Sequence, residues 1–159
     1  MNIILSRELK TKACLEEENE NHILIQGELI DDRHHILSII KFDYKEEKVI
    51  EIIKTEWIKS PYTYCSDIKD IINRIIGLEV KTGATAFINK NLGGKDGCIH
   101  LAEVVVQIFK CFYQVVHRIE DLKLSSEDER KKRKFKILRN SCYAYTDRFK
   151  DMNLDWQHI

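Results

Sequence analysis

The fold is decided by an early stretch, Ile23-Leu24-Ile25-Gln26-Gly27-Glu28-Leu29-Ile30, which is short and rich in β-branched residues. Two similar runs follow it, Ile36-Leu37-Ser38-Ile39-Ile40-Lys41-Phe42 and Val49-Ile50-Glu51-Ile52-Ile53-Lys54-Thr55-Glu56-Trp57. Polar turn stretches at residues 31–35 and 43–48 separate the three runs. Because consecutive strands with short links pair antiparallel, the pattern predicts a meander, to which residues 3–15 could add an edge strand.

The spacing of the apolar residues becomes helical after the single proline, Pro61. A first helix is predicted from the recurrence of Ile68, Ile71, Ile72, Ile75 and Ile76, with Gly77 as its C-terminal cap. A long helix is predicted over residues 99–122, where the apolar side chains form one wide stripe. Strands followed by helices predict an α+β fold, in which helices pack on one face of an antiparallel three- to four-stranded sheet.

A last helix is predicted to begin at Ser126, because Glu129 three residues later completes a capping box. Its basic run, residues 130–134, follows three acidic residues in the first helical turn. This order of charges is typical of a solvated helix that complements its dipole, so the run does not favour nucleic-acid binding.

Length and charge limit the classes of protein further. The 159 residues contain 26 basic and 26 acidic side chains, so there is no net charge to attract nucleic acid or a membrane. The length predicts a single domain over residues 1–159, with the sheet in about 1–58, helices in about 64–140 and a C-terminal tail in 141–159. We find no basic leader and expect no membrane span, which predicts a cytoplasmic protein.

Two cysteines stand where helices are predicted to begin. Cys65 precedes residues 66–72, and Cys98 follows the glycine-rich run Gly93-Gly94-Lys95-Asp96-Gly97. A helix N-terminus stabilises the thiolate, which is the form of cysteine that binds metal or acts as a nucleophile. The chain has five cysteines, an odd and scattered set that favours free thiols over a disulfide framework.

Four segments of the chain together resemble an uncharacterised bacterial family, a domain of unknown function. These segments are Leu29-Ile30-Asp31-Asp32-Arg33-His34-His35, Pro61-Tyr62-Thr63-Tyr64-Cys65, Gly97-Cys98-Ile99-His100-Leu101-Ala102-Glu103 and Ser141-Cys142-Tyr143-Ala144-Tyr145. The family motif is Gly-Cys-Thr-His-Leu, and this chain has Ile99 at the threonine position. This resemblance implies a fold boundary and no established activity.

A second resemblance is to the iron–sulfur scaffold family and its sulfur-acceptor relatives, which bind zinc or assemble clusters. It implies that Cys65 matches the central cysteine of that family and that Cys98 with His100 match its late pair. Asp31 or Asp32 would match the early aspartate, whereas the first scaffold cysteine has no counterpart here. The implied fold is iron–sulfur-scaffold-like.

These residues predict a zinc or iron–sulfur protein, with a metal or sulfur carrier role. The expected ligands are Cys65, Cys98 and His100, with Asp32, His35 or Cys142 completing the shell. The same residues support a thiol enzyme, with Cys98 or Cys65 as nucleophile in acyl or sulfur transfer. The third interpretation is a partner-binding module in which the cysteines only pack in the core. The partner would be an unidentified protein or a small molecule.

Overall fold

A computed structural model of the protein describes residues 4–146. Four strands form one antiparallel sheet in sequential order: β1 (Arg7–Leu15), β2 (His22–Asp31), β3 (His35–Asp43) and β4 (Lys48–Lys59). Helices follow the strands along the chain. The predicted α+β class and antiparallel meander are therefore confirmed, and the edge strand expected near residues 3–15 is present as β1.

One face of the sheet forms the core of the protein. Buried and half-buried residues alternate along β2 and β3 because successive side chains of a strand point to opposite faces. The register pairs buried residues across the two strands as Ile23 with Phe42, Ile25 with Ile40, and Leu29 with Ile36. A shift of one residue would expose this whole set, so the apolar pattern fixes the register.

The long helix α2 (Ile99–Leu122) covers this face and has the predicted bounds. Gly27 on β2 allows the helix to come close, since a Cβ atom there would lie 2.6 Å from Cγ1 of Ile108. Phe42 of β3 contacts Phe109 and Phe112 of α2, with ring centroids 5.5 and 5.1 Å apart. The predicted stripe is therefore the surface of α2 that packs on the sheet.

The expectation that no stretch could span a membrane needs a correction. Within residues 4–146, α2 is long and apolar enough to cross a membrane, by length and composition only. Its residues Leu101, Val104, Val105 and Ile108 are fully buried in the fold. Core packing therefore accounts for the buried part of this helix.

The first predicted helix differs from the observed structure. Residues Thr63–Ile75 form 3₁₀ turns, with non-helical backbone at Ile68, although the predicted residues Ile71, Ile72 and Ile75 are buried. β-Branched residues are weak α-helix formers, which explains why tertiary packing retains the apolar face without an α-helix. Gly77 has φ +83°, a backbone conformation that glycine adopts readily. A short helix, α1 (Ala84–Leu92), follows.

The chain divides into two compact units after Val116. The first contains the sheet, the 3₁₀ segment, α1 and most of α2. The second contains the end of α2, helix α3 (Glu127–Leu138) and a 3₁₀ turn at Tyr143–Tyr145. The predicted capping box is present, with Ser126 Oγ accepting the N–H of Glu129 at 3.2 Å. The single-domain organisation stays a prediction, and its tail beyond residue 146 lies outside the described residues.

Candidate metal centre

The turn between β2 and β3 is organised around Asp31. The backbone N–H of Asp31 donates to the carbonyl of His34 at 2.8 Å, which closes the turn. Its Oδ1 accepts the backbone N–H groups of Arg33 at 2.9 Å and His34 at 2.7 Å. Aspartate is common in turns because its short side chain makes such local bonds. The turn therefore holds His34 next to the carboxylate that ends β2.

Asp31 is a buried carboxylate with a cationic neighbour. Its Oδ2 lies 3.1 Å from Nε and 2.9 Å from Nη2 of Arg7 on β1. Burial raises the pKa of Asp31, but the N–H groups of Arg33 and His34 and the side chains of His34 and Arg7 outweigh it, so this pKa lies well below its usual range. Asp31 is thus negatively charged near neutral pH.

Two histidines complete the cluster. Nδ1 of His34 lies 3.0 Å from Oδ1 of Asp31. The ring of His100, in the first turn of α2, lies against the ring of His34 with centroids 3.9 Å apart and planes inclined by 33°. One ligand atom from each of Asp31, His34 and His100 lies within 4.8 Å of the others. The end of β2, the turn that follows it and the first turn of α2 thus each contribute one side chain to this cluster.

The surroundings of His100 lower its pKa. Burial has the largest effect, and the neighbouring His34 ring and the positive charge of Arg7 lower this pKa further, against the opposing effects of Glu103 and Asp31. Arg7 also connects the two elements, since its Nη1 lies 3.1 Å from Oε2 of Glu103 on α2. His100 is consequently a neutral imidazole at pH 7, with a lone pair available.

Two of the predicted ligands lie near this cluster without being part of it. Asp32 is exposed in the turn, and its carboxylate lies 3.9 Å from Nε of Arg33. His35 points to the other face of the sheet, where its Nε2 lies 2.6 Å from Oε1 of Glu28. Successive side chains of a strand point to opposite faces, so Glu28 and Asp31 of β2 lie on opposite faces of the sheet. His35, whose ring contacts Glu28, is therefore separated from Asp31.

The three predicted cysteine ligands lie elsewhere. Cys65 is half-buried inside the 3₁₀ segment, which begins at Thr63 and not at the cysteine as expected. Cys98 precedes α2 as predicted, and its Sγ accepts the N–H of Leu101 at 3.4 Å. Cys142 is exposed in the second unit. The group that could hold an ion within residues 4–146 contains His100 from the predicted set and no cysteine.

The expected ligand set names Asp32 and His35, whereas the cluster contains their neighbours Asp31 and His34, and the sequence contains a signal for this choice. Asp31 has the same parity as the buried Ile25 and Leu29 of β2. In β3 the even-numbered residues Ile36 and Ile40 are buried, so the same alternation places His34, and not His35, on the buried face. Alternation continued from both strands into the turn therefore predicts Asp31 and His34 on the same face.

Comparison with known proteins identifies the family. The model of the family described as Protein of unknown function (DUF2889) matches residues 8–114, which is more than half of the chain. The chain therefore belongs to this family of proteins of unknown function. No curated protein and no solved structure is significantly similar to it. The resemblance to iron–sulfur scaffolds accordingly has no support from a structural neighbour.

Proposed function

We propose that this protein binds a divalent transition metal, zinc in the first place, through Asp31, His34 and His100. The observation that carries the proposal is the convergence of one carboxylate and two imidazoles, with ligand atoms within 4.8 Å of one another. Two histidines and one carboxylate are a common ligand set for zinc and for non-haem iron, with a position left for water or substrate. The role proposed is that of a metal-binding accessory or carrier protein.

The protonation states of the cluster support metal binding. A metal ligand must be a charged carboxylate or a neutral imidazole. The pKa of Asp31 is lowered despite the burial that raises it, and burial first of all lowers the pKa of His100. Both groups therefore have the form that a cation requires over the physiological pH range.

The ligand types favour zinc over an iron–sulfur cluster. Clusters are held mainly by thiolates, and the group of Asp31, His34 and His100 contains none. Asp31 would bind the ion through its carboxylate, whose Oδ1 lies 3.0 Å from Nδ1 of His34. His34 and His100 would supply the two imidazole nitrogens.

The test is zinc binding by full-length protein without a histidine tag. Wild type is expected to bind about one zinc ion per chain in a competition titration with a chromogenic chelator, checked by elemental analysis and a visible spectrum. His100→Ala and His34→Ala should each weaken binding by roughly tenfold or more. His35→Ala is the matched control, because its ring also lies beside a carboxylate, Glu28, on the opposite face.

Two results would contradict the proposal. The first is a wild-type protein that takes up no zinc at micromolar concentrations. The second is an equal loss of affinity in His35→Ala and His100→Ala, which would mean that zinc binds without selecting this cluster. An absorbing iron chromophore lost in Cys65→Ser or Cys98→Ser would instead support the iron–sulfur prediction.

A second candidate function, thiol-dependent acyl or sulfur transfer, is favoured by Cys98. Its half-buried Sγ accepts the backbone N–H of Leu101 at the start of α2. Cys98 should then be alkylated by iodoacetamide faster than Cys14, an exposed cysteine on β1. Peptide mapping of metal-free protein provides the rates, and equal or slower reaction at Cys98 removes this candidate.

We include a cytoplasmic location in the proposal. All five cysteines lie within the described residues and are free thiols. A reducing compartment maintains this state. The protein or small molecule that would exchange metal with this site stays a prediction.

A further inference from the structure

The second unit contains a cavity of its own. This cavity has a volume of about 190 Å³ and lies between the end of α2 and helix α3. Its lining includes Arg118 and Asp121 from α2, and Glu127, Arg130, Lys131 and Lys134 from α3. Four cations and two carboxylates give this lining an excess of positive charge.

Two of the four cations have a carboxylate beside them. Nζ of Lys131 lies 3.1 Å from Glu127, and Nζ of Lys134 lies 3.4 Å from the buried carboxylate of Asp121, whose other oxygen is 2.9 Å from Arg133. Arg118 and Arg130 have no carboxylate partner among the described residues. The positive excess of the cavity is therefore the charge of two guanidinium groups.

Arg130 has an unsatisfied donor. Its Nη2 donates to the carbonyl of Leu124 at 2.9 Å, whereas its Nε is buried and has no hydrogen-bond partner within residues 4–146. A buried N–H group without an acceptor is unfavourable, and such groups are rare in native proteins. An anionic oxygen in the cavity could supply the acceptor, and a guanidinium group matches the planar geometry of a carboxylate.

The rest of the lining is apolar or aromatic. It consists of Leu122, Phe135 and Tyr145, and the rings of Phe135 and Tyr145 meet edge to face with centroids 5.5 Å apart. Such a wall favours a ligand with an apolar body over a bare inorganic ion. The volume suits a molecule about the size of one substituted ring.

We propose that this cavity binds a small organic anion, a carboxylate attached to an apolar body, between Arg118 and Arg130. The inference does not depend on the metal site, because its residues all belong to the second unit. The two guanidinium groups would bind the carboxylate of the ligand. The apolar wall of Leu122, Phe135 and Tyr145 would contact its apolar part. The ligand would then be a carboxylate substrate or an effector of the protein.

The test is a titration of full-length, ¹⁵N-labelled protein with benzoate, followed by NMR. Benzoate is expected to shift the amide signals of residues 118–135 saturably. Benzyl alcohol has a similar shape without the charge, and inorganic phosphate has the charge without the ring, so each should bind at least tenfold more weakly. Equal binding of benzyl alcohol or of phosphate would overturn the proposal.

Matched variants locate the site. Arg118→Gln and Arg130→Gln should each weaken benzoate binding at least fivefold. Lys132→Gln removes the same charge from an exposed position of α3 outside the lining, and it should leave the affinity unchanged. If Arg130→Gln destabilises α3 by removing the hydrogen bond to Leu124, the Arg118→Gln variant still tests the site. An Arg118→Gln protein that binds benzoate as tightly as Lys132→Gln does would contradict the proposed site.

Discussion

Asp31 stays ionised although its side chain is buried, because N–H groups contact both of its carboxylate oxygens. Two come from the backbone of the turn, at Arg33 and His34, and two from the guanidinium of Arg7. Replacing the carboxylate by a neutral amide leaves the partly exposed guanidinium of Arg7 without its counter-charge and places an NH₂ group where N–H donors already point. The stability of the turn, and with it the orientation of His34, therefore depends on this carboxylate.

We predict that Asp31→Asn lowers the free energy of unfolding by about 1–3 kcal/mol at pH 7. Asp32→Asn, a change of the same kind at an exposed neighbour, should alter it by less than about 0.5 kcal/mol. Urea denaturation followed by circular dichroism measures both values. Similar losses in the two variants would show that the network around Asp31 is not stabilising.

The pH dependence of stability follows from the same residue. Burial raises the pKa of Asp31, but its hydrogen bonds lower it by more, so the folded-state pKa lies below the unfolded-state pKa of about 3.9. The stabilisation is complete above that pH and is lost as the pH falls towards the folded-state pKa. Between pH 5 and pH 2, the decline in stability should be steeper in wild type than in Asp31→Asn. Parallel curves would contradict this.

Arg7 should control the protonation of His100. Burial is the first cause of the lowered pKa of His100, and the charges of His34 and Arg7 add to it. Arg7→Gln removes one positive charge and frees the carboxylates of Asp31 and Glu103, so the pKa of His100 should rise. NMR titration of the ring protons measures it, with Lys12→Gln on the same strand as the control. A pKa that stays the same or falls in Arg7→Gln would exclude this coupling.

At the scale of elements, the contact between β2 and α2 depends on the missing side chain of Gly27. A Cβ atom there would lie 2.6 Å from Cγ1 and 2.9 Å from Cδ1 of Ile108. Gly27→Ala should therefore lower the free energy of unfolding by about 1–3 kcal/mol, because the Ile108 side chain or the helix must shift to make room.

A double-mutant cycle provides the control for Gly27. Ile108→Ala removes both clashing atoms, so adding Gly27→Ala to it should be less unfavourable than adding it to wild type. The free energies come from denaturant unfolding of the four proteins. Additive effects would show that the loss in Gly27→Ala has another origin, such as the altered conformational freedom of the strand.

Most elements could be predicted from the sequence because each has a strong local signal. Alternation along β2 and β3, the stripe of α2 and the capping box at Ser126 are periodic or positional patterns that packing reinforces. The 3₁₀ form of Thr63–Ile75 could not be predicted, since helical spacing of apolar residues does not distinguish the two kinds of helix.

The candidate site was harder to predict than the fold. His100 was recognised from the motif that contains it, but adjacent Asp31 and Asp32, or His34 and His35, differ only in the face to which they point. Which member of each pair faces the helix depends on the residue at which the turn begins, and the amino-acid composition of the turn does not determine that residue. The cysteines are predicted ligands because of their chemistry, and the chemistry of a residue does not predict which other side chains the fold places beside it.

At the scale of the whole molecule, most buried side chains belong to β2, β3, α2 and the segments between the sheet and α2, whereas no side chain of α3 is buried. Helices without a buried face open at little free-energy cost. Hydrogen–deuterium exchange followed by mass spectrometry should therefore show rapid exchange in residues 127–138 and slow exchange in β2 and β3. Comparable protection of α3 and β2 would contradict this uneven distribution of stability.

The sequential order of the strands leaves β1 with one edge that pairs with no other strand in the described part of the chain. The outer edge of β4 is partly covered, since Val49 exchanges backbone hydrogen bonds with Gly77 and Leu78. An uncovered edge can recruit identical strands into fibres, and charged side chains discourage this. Arg7, Lys10 and Lys12 on β1 thus have a protective role, in keeping the folded protein from polymerising through its own sheet.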